Sequence, residues 1–262
     1  MQHDISYYRK IQDAYEAADK KQALLHGLKK QIQRDFKKTV NWENVTIGDR
    51  QQELLVMKST DEKIKKIEAR PNEILRLGEI VKWHGIFWLI TELDYDNQIQ
   101  YAGTMTQCNT ILRWQLEDGS IHYEYGVAED ATKYGTGLAD TEYLQLGEFS
   151  LKVKIQMNEY TLGIRRDRRF LIGENSPGAR PLAYITSRLN QVTGTYISAD
   201  VETEDNKEAV PVNYGYIEVT LLEDVFREDK DRADLWIADY FDPGIDLPEE
   251  GVQDATEDDE LW

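Results

Sequence analysis

The sequence predicts a mainly β protein with an N-terminal helical arm, antiparallel β-barrel or β-sandwich modules and an extended acidic C-terminal tail. Three observations support this fold class: an amphipathic pattern near the start, short apolar and aromatic runs separated by turn signals through the middle, and an acidic segment at the end. We expect four regions: a helical arm (1–45), a first β module (46–147), a second β module (148–241) and the tail (242–262).

The arm is predicted to be helical over residues 4–38, with Asp4 as its N-cap. Gly27 could divide it into two helices. This region has nine basic and five acidic residues, so it is basic within an acidic chain, and it is expected to pack on its own domain or on a neighbouring subunit. Its apolar residues recur mostly at spacings of three, four or seven and share one face: Ile5, Tyr8, Ile11, Tyr15, Ala18, Leu25, Leu28, Ile32 and Phe36.

The first β module is predicted most clearly over residues 74–126, where turn signals separate apolar, β-branched and aromatic runs. The turns are expected at residues 84–85, 94–97 and 117–119, and they would join consecutive antiparallel strands as hairpins. Residues 44–49 (NVTIGD) also have turn character.

The second β module is predicted from a strict alternation of apolar and polar residues after residue 148. Its strands either extend the first sheet or form a separate unit, and we favour a second small domain. Residues 131–137 and 198–208 are expected to be loops, because they are rich in Gly, Thr and acidic residues.

Composition limits the function classes. The chain has 262 residues and a net charge of -18, and this acidic balance argues against general nucleic-acid binding, which needs Lys and Arg for phosphate contacts. Cys108 is the only cysteine, which excludes an internal disulfide and a Cys-rich zinc site, and we expect a buried, inert thiol. The sequence shows neither a signal peptide nor an apolar run near 18 residues, so we expect cytoplasmic synthesis and no membrane partner.

No catalytic, cofactor-binding or metal-binding residues are predicted, because no nucleophile elbow, phosphate loop or dinucleotide motif is present. His84 and His122 could meet across a sheet with a carboxylate, although strand histidines are more often structural. Residues 94–97 resemble part of a calcium loop but lack its Gly and terminal Glu, which favours a turn. A hydrolase whose acidic site residues are dispersed along the sequence stays open as one hypothesis.

The strand tryptophans Trp83, Trp88 and Trp114 allow two interpretations. They could form a platform for carbohydrate, or they could belong to a core or a subunit interface.

Two further features could contact a partner. One is an arginine cluster, because planar guanidinium groups suit contacts with phosphate or carboxylate. The cluster could face DNA or a partner, or it could pair with acids of the same chain or of an adjacent copy. The other is an apolar pair in the acidic tail, which could anchor the tail on a partner or could be a frayed terminus. The cluster comprises Arg165, Arg166, Arg168 and Arg169, and the pair is Leu261 and Trp262.

Residues 77–115 and 214–241 together resemble structural proteins of tailed bacteriophages of Gram-positive hosts, encoded among the head and neck genes. The resemblance covers roughly residues 70–241 and includes a CN-x-x-L-R-W-like segment. The residues that fit this segment are Cys108, Asn109, Leu112, Arg113 and Trp114.

The resemblance implies a non-enzymatic virion protein: a neck or head–tail connector subunit, head-closure or collar-like, with a β-barrel core. Such proteins assemble as rings beneath the portal. The implied partners are copies of itself, portal and tail or other neck proteins, and DNA in passing; no cofactor is implied. The long arm and the acidic tail depart from the smallest head-closure proteins, which leaves the tier of the neck open. Alternatives are a receptor- or carbohydrate-binding tail or baseplate module and a capsid-associated protein.

Overall fold

The computed structural model describes residues 19–130, 150–173, 181–191, 194–197 and 212–242. Within them the predicted fold class is confirmed, because a helix precedes two six-stranded antiparallel β units. The predictions for Asp4, the loops at 131–137 and 198–208, and the tail anchor Leu261 and Trp262 lie outside the described residues.

Helix α1 spans Lys20–Asp35 and continues into a 3-10 turn at Phe36–Lys38. The prediction of one continuous helix over 4–38 is wrong at Asp19, whose backbone is extended (φ -147). The Asp19 side chain accepts a hydrogen bond from Gln22 N at 2.8 Å. Such a side chain satisfies a free N–H of the first turn and therefore favours a helix start. Gly27 lies inside α1 and does not divide it.

The first β unit is a closed barrel in the order β1-β2-β3-β6-β5-β4, which antiparallel pairing between β1 and β4 completes. Its core is apolar, with Leu54, Leu75, Val81 and Ile90 fully buried. Its strands are β1 (Trp42–Ile47), β2 (Arg50–Lys58), β3 (Ile64–Ala69), β4 (Ile80–Trp83), β5 (Ile86–Asp94) and β6 (Ala102–Gln107).

The turn predictions are confirmed at residues 84–85 and 117–119, which connect successive strands. At 94–97 the prediction is shifted, because Asp94 still belongs to β5 and the connection to β6 runs over residues 95–101. His84 (φ 49) and Gly85 (φ 78) both have positive φ, as a tight two-residue hairpin requires. The turn prediction for 44–49 is wrong over its first four residues, which form strand in β1, and only Gly48 and Asp49 turn. Alternating burial of Val45 and Ile47 in the barrel core outweighs the local turn preference of Asn44.

The second β unit is a six-stranded sheet in the order β10-β11-β14-β9-β8-β7. It curls until its edge strands face each other: the rings of Trp114 and Phe170 meet edge to face at 6.0 Å, and Arg168 donates a hydrogen bond to Gln115 O at 2.6 Å. Its strands are β7 (Thr110–Gln115), β8 (Ile121–Asp130), β9 (Ser150–Gln156), β10 (Arg169–Ile172), β11 (Leu182–Asn190) and β14 (Tyr216–Asp224).

Three smaller elements complete the described chain. Strands β12 (Thr195–Ile197) and β13 (Val212–Tyr214) pair as a two-stranded ribbon. A short helix, α2 (Glu159–Leu162), follows β9 and is capped by Asn158. No helix among the described residues is long and apolar enough to cross a membrane.

The change from the first sheet to the second occurs between β6 and β7. Cys108 N still donates to Phe87 O of the barrel at 2.9 Å, whereas the next residue, Asn109, donates to Gly126 O of the second sheet at 3.0 Å. The second sheet therefore begins at β7, before the module boundary expected near residue 147. The reason is that the β7–β8 hairpin pairs with β9 of the second sheet. The two units are separate sheets with separate cores.

Candidate interaction surface

The hairpin β7–β8 has one face in the core of the second sheet and one face outside it. Register pairs Leu112 with Glu124 and Trp114 with His122, and these residues face inward. The alternate positions face outward because side chains of a strand alternate between its two faces. Ile111 thus lies opposite Tyr125, and Arg113 lies opposite Tyr123.

These outward residues meet the β4–β5 hairpin of the barrel and form what we call the junction surface. Phe87 of the barrel stacks on Tyr125 of the second sheet, with ring centroids 3.8 Å apart and planes 14° apart. Tyr123 packs edge to face on Tyr125 at 5.9 Å. The junction surface consists of Ile86, Phe87, Ile111, Ile121, Tyr123 and Tyr125.

Much of the junction surface is open to solvent. Ile86 is 41%, Ile121 48% and Tyr123 55% exposed. Burial raises the pKa of the Tyr125 hydroxyl, which the neighbouring Tyr123 raises further. Exposed large apolar side chains grouped around an aromatic stack are a feature of surfaces that bind a partner.

Beside the Phe87–Tyr125 stack lies the junction cleft, with a volume of about 580 Å³. Its walls come from both β units and from the last described segment, which contributes Trp236. The guanidinium carbon of Arg113 lies 5.9 Å from the centroid of the Trp236 ring, within cation–π range. The apolar walls and this cation suit the binding of an apolar group that carries a negative charge.

Cys108 lines the same cleft and is half-buried rather than fully buried. Burial raises the pKa of its thiol to about 12. Since the thiolate is the reactive form, this shift disfavours reaction of the thiol near neutral pH.

The strand tryptophans lie mainly in the cores. Trp88 is 3% exposed in the barrel and Trp114 is 4% exposed in the second sheet. Trp83 is partly buried and packs against the barrel core and the ring of His84. The core interpretation therefore fits Trp88 and Trp114, and the exposed aromatic ring of the junction surface is that of Tyr123.

His84 lies in the β4–β5 turn of the barrel, whereas His122 lies on β8 of the second sheet. His84 pairs with Glu43 at 3.3 Å, and His122 pairs with Glu124 at 3.0 Å and stacks on Tyr160. Within the described ranges, no group of three or more His, Cys, Asp or Glu residues is arranged to hold a metal ion.

The arginine cluster separates into two pairs. Arg165 and Arg166 are exposed, next to Asp167 in a left-handed turn (φ 66). Arg168 is half-buried and bonds the backbone of Gln115, and burial lowers its pKa. Arg169 is 2% exposed and points into the protein. The first pair is thus open to solvent, whereas the second pair is engaged within the chain.

Arg169 is surrounded by acids of the same chain. Asp231 accepts two hydrogen bonds from its guanidinium, at 2.8 and 2.9 Å, and Asp239 accepts one at 2.9 Å. Asp224 and the carbonyl of Val225 complete the set. Burial opposes ionisation of Asp231, but the hydrogen bonds from Arg169 and two backbone N–H groups hold its pKa below the usual range. We call these residues the arginine centre.

Sequence reasoning did not identify the junction surface. Its tyrosines alternate with His122 and Glu124, so the polar residues of β8 look like the solvent face. In the structure Glu124 is 9% exposed and the tyrosines face outward. The available signal was the alternation of Ile121, Tyr123 and Tyr125 on one face of a strand, but periodicity alone does not show which face is buried.

Comparisons with known proteins give no family. No protein-family model matches the chain, and no curated protein matches it. One solved structure that matches is MrkH, described as a novel c-di-GMP-dependent transcription regulatory factor. It is 8% identical, with a TM-score of 0.24, and the match covers 78% of this chain and 85% of that chain. At this TM-score the similarity has no bearing on the function of this chain.

Proposed function

We propose that this chain is a non-enzymatic virion structural protein, a ring-forming subunit of the phage neck or head–tail connector. In this role it links portal to tail and lines or surrounds the DNA path. Its partners are copies of itself, portal and tail or other neck proteins, and it contacts DNA only in passing. It is synthesised in the host cytoplasm and becomes part of the virion.

The junction surface is the observation that carries this proposal. A ring subunit needs an exposed surface for its neighbours on a body that keeps its shape. The junction surface provides solvent-exposed aromatic and aliphatic area, and aromatic residues are enriched where protein partners bind. It lies on two β units with separate cores, one of them a closed barrel that has no free sheet edge.

Charge adds support. The chain carries 49 acidic and 31 basic residues, and an acidic wall repels the phosphates of DNA that passes along it. Arg165 and Arg166 are exposed on one turn and are available for a local contact with an acidic partner or with DNA.

A genetic experiment tests this function. The reading frame is removed from the phage or prophage that encodes it, and lysates are inspected by electron microscopy. We expect heads and tails that fail to join, and we expect the intact reading frame supplied in trans to restore complete particles. Infectious, complete particles without this chain would contradict the proposal.

A receptor- or carbohydrate-binding tail module is the second candidate, favoured by the exposure of Tyr123 beside Tyr125. Exposed aromatic rings can stack on sugars as well as on protein. A glycan array distinguishes the two roles: binding that is lost in a folded Tyr123→Ser variant would support the carbohydrate role, whereas the connector role predicts no glycan signal.

A further inference from the structure

The junction cleft combines an apolar wall with a single charge. Among the described residues that line it, Arg113 is the only charged one, and it lies against aromatic and aliphatic side chains. Outside the cleft, Lys82 Nζ lies 5.7 Å from the centroid of the Phe87 ring. An occupant should therefore bring a large apolar group and negative charge together.

One segment of the chain has this composition. Residues 243–262 contain eight acids and neither Lys nor Arg, and Trp262 is their only aromatic residue. Leu261 and Trp262 directly follow four consecutive acids at 257–260. Neighbouring residues of an extended chain are at most about 3.5 Å apart, so an acid and the apolar pair can contact one small site together.

This segment leaves the folded body close to the cleft. Phe241 exchanges two hydrogen bonds with the side chain of Gln115, at 2.9 and 3.0 Å. Gln115 lies on β7, the strand that also carries Arg113 and Ile111 of the cleft. A twenty-residue segment spans up to roughly 66 Å when extended, so it can reach the cleft of its own copy or of an adjacent one.

We propose that the junction cleft is the docking site for the acidic segment 243–262 of this chain. Trp262 and Leu261 fill the apolar part between the Phe87–Tyr125 stack and Trp236, and an acid of 257–260 pairs with Arg113. Arginine suits this task because its planar fork binds a carboxylate with two parallel hydrogen bonds.

The inference deepens the proposed function, since docking of the segment on an adjacent copy would join neighbours in a ring. Its test uses the purified full chain and does not require a phage. If the peptide does not bind, the docking proposal fails, whereas the connector role is tested separately by the location of the chain in particles. The failure of one proposal can therefore be distinguished from the failure of the other.

The first experiment measures binding of a fluorescent peptide of residues 243–262 to the full chain carrying Leu261→Ser and Trp262→Ser, which removes the competing apolar pair. We expect saturable binding. Adding Arg113→Gln to this chain should weaken it roughly tenfold, as expected for loss of a charge-assisted contact. The matched control is Lys58→Gln, which removes one exposed charge at the end of β2, a strand that does not line the cleft, and should leave binding unchanged.

The peptide itself provides a second control. A peptide with Trp262→Ser should bind at least tenfold more weakly, because the aromatic area is lost. Circular dichroism confirms that each protein variant is folded. Absence of binding, or binding that is insensitive to both Arg113→Gln and Trp262→Ser, would overturn the proposal.

Photo-crosslinking then locates the segment in the intact chain. Benzoylphenylalanine at position 262 should crosslink to residues of the cleft, and a mixture of isotopically light and heavy chains tells whether the receiving copy is the same or another. The matched probe at Val40, which is 97% exposed, should give no crosslink to the cleft. Crosslinks from position 262 that map elsewhere would contradict the assignment.

Discussion

Arg169 is a charged side chain that is almost completely buried. A buried guanidinium is unfavourable unless carboxylates and carbonyls satisfy it, and the arginine centre supplies both. Asp231 is as critical as Arg169, since its side chain is fully buried and also accepts hydrogen bonds from the backbone N–H groups of Arg227 and Asp239. The centre thereby fastens the segment after β14 to strand β10.

Replacing Asp231 with Asn tests this arrangement. We expect the free energy of unfolding to fall by about 3 kcal/mol at pH 7, because Arg169 loses its buried counter-charge. Chemical denaturation measures the effect. The control is Asp234→Asn, which removes the exposed partner of Arg232 and should change stability little. Equal effects of the two substitutions would contradict a structural role for the centre.

The same centre predicts how stability depends on pH. The pKa of Asp231 and that of Asp224 are lowered in the folded protein, so their contribution is complete above the unfolded value of about 3.9. It is lost as the pH falls through the folded pKa. We therefore expect the difference in unfolding free energy between wild type and Asp231→Asn to narrow below about pH 4. A difference that stays constant down to pH 2.5 would be inconsistent with a lowered pKa of Asp231 in the folded protein.

The sequence could not predict this pairing. The pattern RRDRR indicates a local positive point, but the acids that neutralise Arg169 lie 55 to 70 residues further along the chain. Only the fold brings them together. The exposure of Arg165 and Arg166 agrees with the local pattern, because the turn around Asp167 keeps both outside the sheet.

Among the elements, hairpins were the easiest to predict and sheet membership was the hardest. The turns at 84–85 and 117–119 depend on Gly and acidic residues that act locally, and they form as expected. The hairpin β7–β8 looks like a continuation of the barrel, yet it joins the second sheet. Alternation fixes which residues share a face and leaves the choice of partner strand open.

The contact between the two β units depends on a glycine. Gly78 precedes β4 with φ +83, and a Cβ atom there would lie 1.8 Å from the carbonyl oxygen of Gly215, which precedes β14. Gly215 O also accepts a hydrogen bond from Met157 N at 3.0 Å, so it cannot move freely. The backbones of the two units therefore touch where only glycine fits.

Gly78→Ala should destabilise the protein by about 2 kcal/mol or more, through backbone strain and this clash. Gly48→Ala is the matched control, because Gly48 also has positive φ (+55) but has open space around it. It should cost only about 1 kcal/mol. Thermal and chemical denaturation measure the stability of the two variants. Equal losses of stability would show that the close approach of Gly78 to Gly215 leaves room for a Cβ atom.

At the scale of the whole molecule, charge and apolar area are unevenly distributed. Helix α1 carries Lys and Arg on a chain with a net charge of -18, whereas the junction surface carries the exposed side chains of Ile86, Ile121 and Tyr123. The acidic net charge could be predicted from composition. The junction surface could not be predicted, because the sequence does not show which face of β8 is buried. This distribution is the physical basis of our proposal that copies of the chain associate with one another.

If copies associate through the junction surface, Tyr123→Ser should lower the association constant about tenfold or more, because central aromatic residues dominate such interfaces. Sedimentation velocity of the purified chain over a range of concentrations measures this constant. Val40→Ser, at a position that is 97% exposed and belongs to the segment between α1 and β1, should leave association unchanged. Unaltered association of the Tyr123 variant would place the contact elsewhere.

Cryo-electron microscopy of intact particles that contain this chain tests the connector role most directly. We predict that the barrel and the second sheet fit density in a ring between portal and tail, with the junction surface at a contact between subunits. Density at a fibre tip, a baseplate or the capsid shell, or no density for the chain in the particle, would contradict the connector role.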